Sequence, residues 1–172
     1  MAINTTAKLS VDTTYNQKDS SSSVSDSRTG SLGYSASLTS GTGSLQVDAV
    51  FNLDTEPITS GSELSLNLAS LSQPMLGATL NVSFNNVKSL AIRNTSTTIG
   101  EDISVRATGS DAFTAPFNGG SGNLLVKPAA SYIYSDPYTG ATVDSSNKNF
   151  QITNEGTGTI NINVVAVGVT GL

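Results

Sequence analysis

The feature that most constrains this chain is the two-residue period of its apolar side chains. Across residues 44–53, Leu45, Val47, Ala49, Phe51 and Leu53 alternate with Ser44, Gln46, Asp48, Val50 and Asn52. Successive side chains of a strand point to opposite faces, so one face here is core and the other is largely polar. Residues 63–68 repeat the pattern, with Leu64, Leu66 and Leu68 inward and Glu63, Ser65 and Asn67 outward. Ile103, Val105 and Ala107 alternate with Ser104 and Arg106. No segment sustains the three-and-four spacing of an amphipathic helix.

Further strands are expected at residues 87–93, 123–127, 131–134, 149–153 and 159–169. Residues 87–93 are mixed, with Leu90 and Ile92 as the core face. The strand at 159–169 begins with Ile160 and Ile162 against Asn161 and Asn163, then becomes apolar on both faces over residues 164–167. That switch predicts a strand covered on both sides, by the domain core and by something else. Turn residues punctuate these runs, as in Asp136-Pro137-Tyr138, Asn118-Gly119-Gly120 and Asn154-Glu155-Gly156. Residues 68–80 are the one place for a short helix, held to a turn or two by Pro74 and Gly77. Many short strands with almost no helix predict an all-β fold: a two-sheet antiparallel sandwich, jelly-roll-like, with an extended N-terminal arm. The expected core is Leu45, Val47, Phe51, Leu64, Leu66, Leu68, Leu90, Ile92, Ile103, Val105, Val126, Ile152, Ile160, Ile162 and Val164.

The first forty residues read differently, which divides the chain into an arm (1–40) and a sandwich (41–172). Residues 16–31 hold seven Ser and one apolar residue, Val24. Such a segment buries too little apolar surface to offset its own ordering entropy. Two supports are open to it: a neighbouring subunit, or backbone hydrogen bonds to its own domain.

Composition narrows the chemistry. The chain contains no His and no Cys. The usual general base, thiolate nucleophiles and the common zinc and iron–sulfur ligands are therefore missing. No nucleophile elbow or phosphate-binding loop motif is present. A carboxylate pair remains the one route to hydrolysis, but Asp48 and Glu63 lie on polar strand faces and Glu101-Asp102 at a strand entry. Calcium would need clustered oxygen ligands, with Asp54-Thr55-Glu56 and Glu101-Asp102 as the available pieces. The expectation is no catalytic residue, no cofactor and no metal. Net charge is −5, and the eight basic residues are scattered singly. Phosphate backbones and anionic membranes both require clustered Lys and Arg, so neither is expected as a partner. Residues 1–10 lack the basic start and apolar run of a signal peptide, which suggests synthesis and assembly in a cytoplasm.

An ordered series of features resembles small virion structural proteins of tailed bacteriophages. It runs from Val50-Phe51-Asn52-Leu53-Asp54 through the Leu64, Leu66, Leu68 strand to Val87-Lys88-Ser89-Leu90-Ala91-Ile92-Arg93-Asn94-Thr95-Ser96. Val126-Lys127-Pro128 follows, then Phe150-Gln151-Ile152-Thr153-Asn154-Glu155-Gly156 and the Ile/Val strand closing on Gly168. The series covers residues 44–172 and leaves the arm unmatched. The resemblance implies a β-sandwich of the capsid cement, or decoration, type on the outer face of a phage head. Its partner would be the major capsid protein or another virion protein, and the chain itself would form a homo-oligomer, with a trimer as the guess from shell symmetry. The alternative is a tail, baseplate or fibre-associated domain that contacts host polysaccharide. A carboxylate hydrolase and an exported adhesin complete the candidates. The candidate contact residues are Val24 in the arm, Val165 and Val167 on the last strand, and Tyr132, Tyr134 and Tyr138.

Overall fold

A computed structural model of the chain describes residues 5–18, 25–75, 78–120 and 122–170. In chain order its strands are β1 (Thr5–Lys18), β2 (Ser25–Ser40), β3 (Gln46–Val47), β4 (Ala49–Ile58), β5 (Glu63–Asn67), β6 (Leu71–Met75) and β7 (Ala78–Val82). They continue as β8 (Phe84–Asn94), β9 (Ile103–Ala107), β10 (Asn123–Val126), β11 (Ser131–Ser135), β12 (Ala141–Thr142), β13 (Asn149–Asn154) and β14 (Ile160–Thr170). Among the described residues, one 3-10 turn spans Ala115–Phe117.

Two sheets form the sandwich. One runs β10-β9-β13-β5, the other β11-β8-β14-β4, with β12 also beside β8. The antiparallel pairing is nested: β4 with β14, β5 with β13, β8 with β11, and β9 with β10. Successive nested pairs fall alternately in the two sheets. The domain is thus one long hairpin rolled upon itself, the winding of a jelly roll. Between the sheets lie Phe51, Leu90, Ile92, Val164 and Ala166 from one side and Leu66, Ile103, Val105, Phe150 and Ile152 from the other, all buried.

Two bulges explain where strict alternation fails. On β8, Val87 and Leu90 are both in the core although they are three positions apart. The β14 register steps from Val167↔Ser89 to Gly168↔Val87, so Lys88 is the extra residue that returns Val87 to the inner face. On β4, the register steps from Leu53↔Val164 to Glu56↔Ile162. Thr55 sits there at φ 57°, its N–H donating to Asn163 Oδ1, and Ile58 is brought back into the core.

Three local expectations change. Among the described residues of 68–80 there is no helix: β6 and β7 pair antiparallel, because Leu71 and Gln73 bury on one face while Ser72 stays exposed. Gln73 Oε1 accepts the Asn52 N–H at 2.6 Å and ties that pair to β4. The single strand expected at 44–53 is divided by a bend at Asp48 into β3 and β4. Leu45 stands at φ 56°, and Leu45 and Val47 leave the main core for a second cluster. The described parts of the Ser-rich segment, residues 16–18 and 25–31, are paired: β1 and β2 run antiparallel in unbroken register from Thr5↔Leu38 to Lys18↔Ser25.

Candidate assembly surfaces

The β1–β2 pair meets the sandwich at its base. Thr39 and Ser40 of β2 pair parallel with Gln46 and Val47 of β3. Thr39 N–H donates to Leu45 O at 3.0 Å, Leu45 N–H to Pro137 O at 3.1 Å, and Asp48 N–H to Gly168 O at 3.1 Å. Leu38, Val47 and Val167 bury together, with Leu45, Val50 and Val165 packed around them. Asp48 reaches across to the end of β14, accepting from Thr170 N–H at 2.7 Å and Thr170 Oγ1 at 2.9 Å. Close approach of β14 to β8 requires Gly168, where a Cβ would overlap the Asn86 carbonyl oxygen.

This arrangement shows what covers the doubly apolar end of β14. Val164 and Ala166 face the main core, whereas Val165 and Val167 face the second cluster. The second cover comes from the chain itself, through Leu38 and β3. Val167 is only 3% exposed, so its side chain is taken up within the chain, and Val165 lies half-buried beside it. Val24 lies outside the described residues.

The three tyrosines occupy unlike surroundings. Tyr132 and Tyr134 of β11 pair with Ile92 and Leu90 and pack half-buried on the main core. Tyr132 Oη donates to Pro116 O at 3.2 Å. Burial raises the hydroxyl pKa of both, and the neighbouring Asp136 carboxylate adds to the rise at Tyr134. Tyr138 is 64% exposed in the turn after β11. The first two rings are thus partly taken up by the core, whereas the third is open to solvent.

At one end of the sandwich, two buried asparagines hold the loops. Asn94 Nδ2 donates to Glu101 O and Val126 O, and its Oδ1 accepts from Ser96 N–H. Asn154 Nδ2 donates to Ile58 O and Gly158 O, and its Oδ1 accepts from Gly156 N–H. The Glu101 carboxylate joins the two loops by accepting from Gly158 N–H at 3.0 Å. Asn94-Thr95-Ser96 and Asn154-Glu155-Gly156 both belong to the phage-like series, and both are loop clamps, so that series speaks first to fold. Ile99 stands at the loop tip, 99% exposed.

Three further carboxylates each lie beside one basic group. Asp102 pairs with Lys127 at 2.7 Å, Glu155 lies 3.5 Å from Arg106, and Asp111 lies 3.4 Å from Lys148. Partial burial opposes ionisation of Asp111, but hydrogen bonds from Asn149 and Lys148 outweigh it and lower its pKa. Asp144 is lowered by hydrogen bonds from the backbone and hydroxyl of Ser146. Among the described residues, no three metal-ligating side chains come together. A shallow cleft of about 280 Å³ opens between β4, β5 and β6, with Leu53, Leu64 and Glu56 among its lining. Glu56 is its single carboxylate.

No family model matches the chain, and neither does any curated protein. Among solved structures, the Yersinia pseudotuberculosis-derived mitogen (YPM) is similar at 16% identity, over 70% of this chain and 86% of that one, with a TM-score of 0.35. PirA is similar at 13% identity, over 71% of this chain and 95% of that one, also with a TM-score of 0.35. Likeness at that level carries no argument about what this chain does.

Proposed function

We propose that this chain is a non-enzymatic structural protein of a tailed-phage virion, a capsid cement that binds the outer face of the head through its N-terminal hairpin. The observation that carries the reading is how the hairpin is attached. Strands of fourteen and sixteen residues pair with each other, and only Thr39 and Ser40 pair onward, to β3. Among the described residues no sandwich strand pairs with the rest of the hairpin. A two-stranded ribbon is marginal alone in water and offers unpaired edges to another protein's sheet. Its base, in contrast, is fastened by the Leu38 cluster and the backbone bonds around β3. A firmly held base with a ribbon beyond it suits a protein that grips a neighbouring subunit. Many such weak grips add up on a lattice.

The test removes the grip and keeps the anchor. Leu38 is 2% exposed, so the cut belongs after residue 36 rather than after residue 40. The chain lacking residues 1–36 is expected to stay folded by circular dichroism and to lose binding to heads that the full chain decorates. Full occupancy by the truncated chain would defeat the proposal. So would a count of copies per particle that matches the tail rather than the head lattice.

A further inference from the structure

We propose that two copies of this chain pair edge to edge through β11, about a twofold axis that passes through Ile133. This inference stands apart from the proposed virion role and rests on a different surface.

β11 is the outer strand of its sheet, and among the described residues nothing pairs along its other side. Ala130 O accepts from Asn94 N–H at 3.0 Å, and Asp136 N–H donates to Lys88 O at 2.9 Å. Backbone groups turn alternately to the two sides of a strand. Tyr132 and Tyr134 therefore also turn theirs toward β8, while Ser131, Ile133 and Ser135 turn theirs outward. The edge thus presents three residues' worth of unpaired donors and acceptors.

The sequence of that edge is Ser131-Tyr132-Ile133-Tyr134-Ser135, which reads the same in both directions. A twofold interface requires that when residue i meets j, j also meets i. Antiparallel pairing centred on Ile133 sets Ser131 opposite Ser135 of the second copy, Tyr132 opposite Tyr134, and Ile133 opposite itself. Every pair is then chemically matched. The three outward-turned residues form hydrogen-bonded pairs, giving about six backbone bonds between the copies. Tyr132 and Tyr134 meet in the closer, non-hydrogen-bonded pairs, where aromatic partners stabilise a sheet. Ile133, 39% exposed on the outer face, gains its own twin as cover. No charged side chain lies in β11, so no like charges meet at the axis.

The other edges of the two sandwich sheets are guarded against such pairing. β4 carries Pro57, the Thr55 bulge and the Gln73 tie. β5 carries exposed Glu63, and four-residue β10 is closed by Lys127-Pro128. A second copy is the occupant that suits this edge, because twofold pairing sets Tyr against Tyr, Ser against Ser and Ile against Ile with no charge to repel.

Cross-linking of the full chain tests the register. The protein has no Cys, so I133C introduces one thiol per chain. Opposed residues of a hydrogen-bonded pair stand about 5.5 Å apart at Cα, within disulfide reach. Oxidised I133C is expected to form covalent dimers at least about tenfold faster than I99C, whose thiol is the more exposed of the two but lies off the edge. A mixture of S131C and S135C is expected to cross-link, whereas S131C alone is not, because its two thiols would stand about 13 Å apart along the strand. Sedimentation of the unmodified chain should show a concentration-dependent dimer. I133P removes an outward N–H and no internal ladder bond, and I133K places like charges at the axis. Each is expected to weaken the dimer about tenfold or more, with an unchanged melting temperature at concentrations low enough that the unmodified chain is monomeric. A chain that stays monomeric at every concentration, I133C no faster than I99C, or S131C that links to itself as readily as to S135C would each overturn the proposal.

Discussion

Single residues show most clearly which sequence signals carry through to packing. Phe51 was legible as core from alternation alone, and it is buried at 2% exposure between the sheets. Phe51→Ala is expected to cost roughly 3–5 kcal/mol in chemical denaturation. A loss under about 1 kcal/mol would mean that the site collapses around the missing ring. Phe113, fully buried, was not legible: it sits in a turn-rich stretch with no neighbouring strand pattern, and its N–H finds the Asn149 carbonyl from across the fold. Asn154 looks like an ordinary turn residue in the sequence. The fold buries it and gives its amide three partners. Asn154→Ala leaves Ile58 and Gly158 carbonyls short of a donor, and a loss of about 1–3 kcal/mol is expected in the same assay. Asn154→Asp should do no better, since a carboxylate cannot donate to those carbonyls.

At the scale of the element, the deviations from alternation are the informative places. Residues 87–93 read as mixed because a bulge at Lys88 changes the face of Val87 relative to Leu90. No local propensity announces a bulge; it appears only when two strands must keep Val87 and Leu90 on one side together. The division of 44–53 at Asp48 has the same character, since Val47 finds Leu38 and Val167 while Ala49 and Phe51 find the main core. The helix expected in 68–80 lost to β6 and β7 because Leu71 and Val82 bury there on the core's margin. The doubly apolar β14 was legible as a strand with two covers, but its second cover came from a residue more than 120 positions away. Leu38→Ala should therefore loosen the hairpin base by about 2–5 kcal/mol while sparing the main core. Hydrogen exchange is the measurement: protection should fall at β3 and the end of β2 and persist at β9 and β13.

The whole molecule sets the response to pH. With no His and no Cys, no side chain of those types titrates near neutrality. Asp111 and Asp144 hold folded pKa values below their ordinary value of 3.8. The unfolded chain then binds protons first as pH falls, so their contribution is present above that value and lost below it. Tyr132 and Tyr134 are raised above 10.0. There the unfolded chain loses protons first, so stability falls as pH rises past that point. Melting temperature is expected to be flat across the neutral range and to drop at both ends, and Tyr132→Phe should soften the alkaline drop. The sequence by itself determined the fold class, most of the strands and most of the core, because alternation is a local property that burial on one face enforces. It also determined which side chains are absent, His and Cys, because that needs only the residue list. Tertiary structure alone decided the nested pairing of β4 with β14 through β9 with β10, the bulges, and the intramolecular cover on Val167. Those depend on which distant segments meet, and a pattern with period two is the same whichever partner a strand finds.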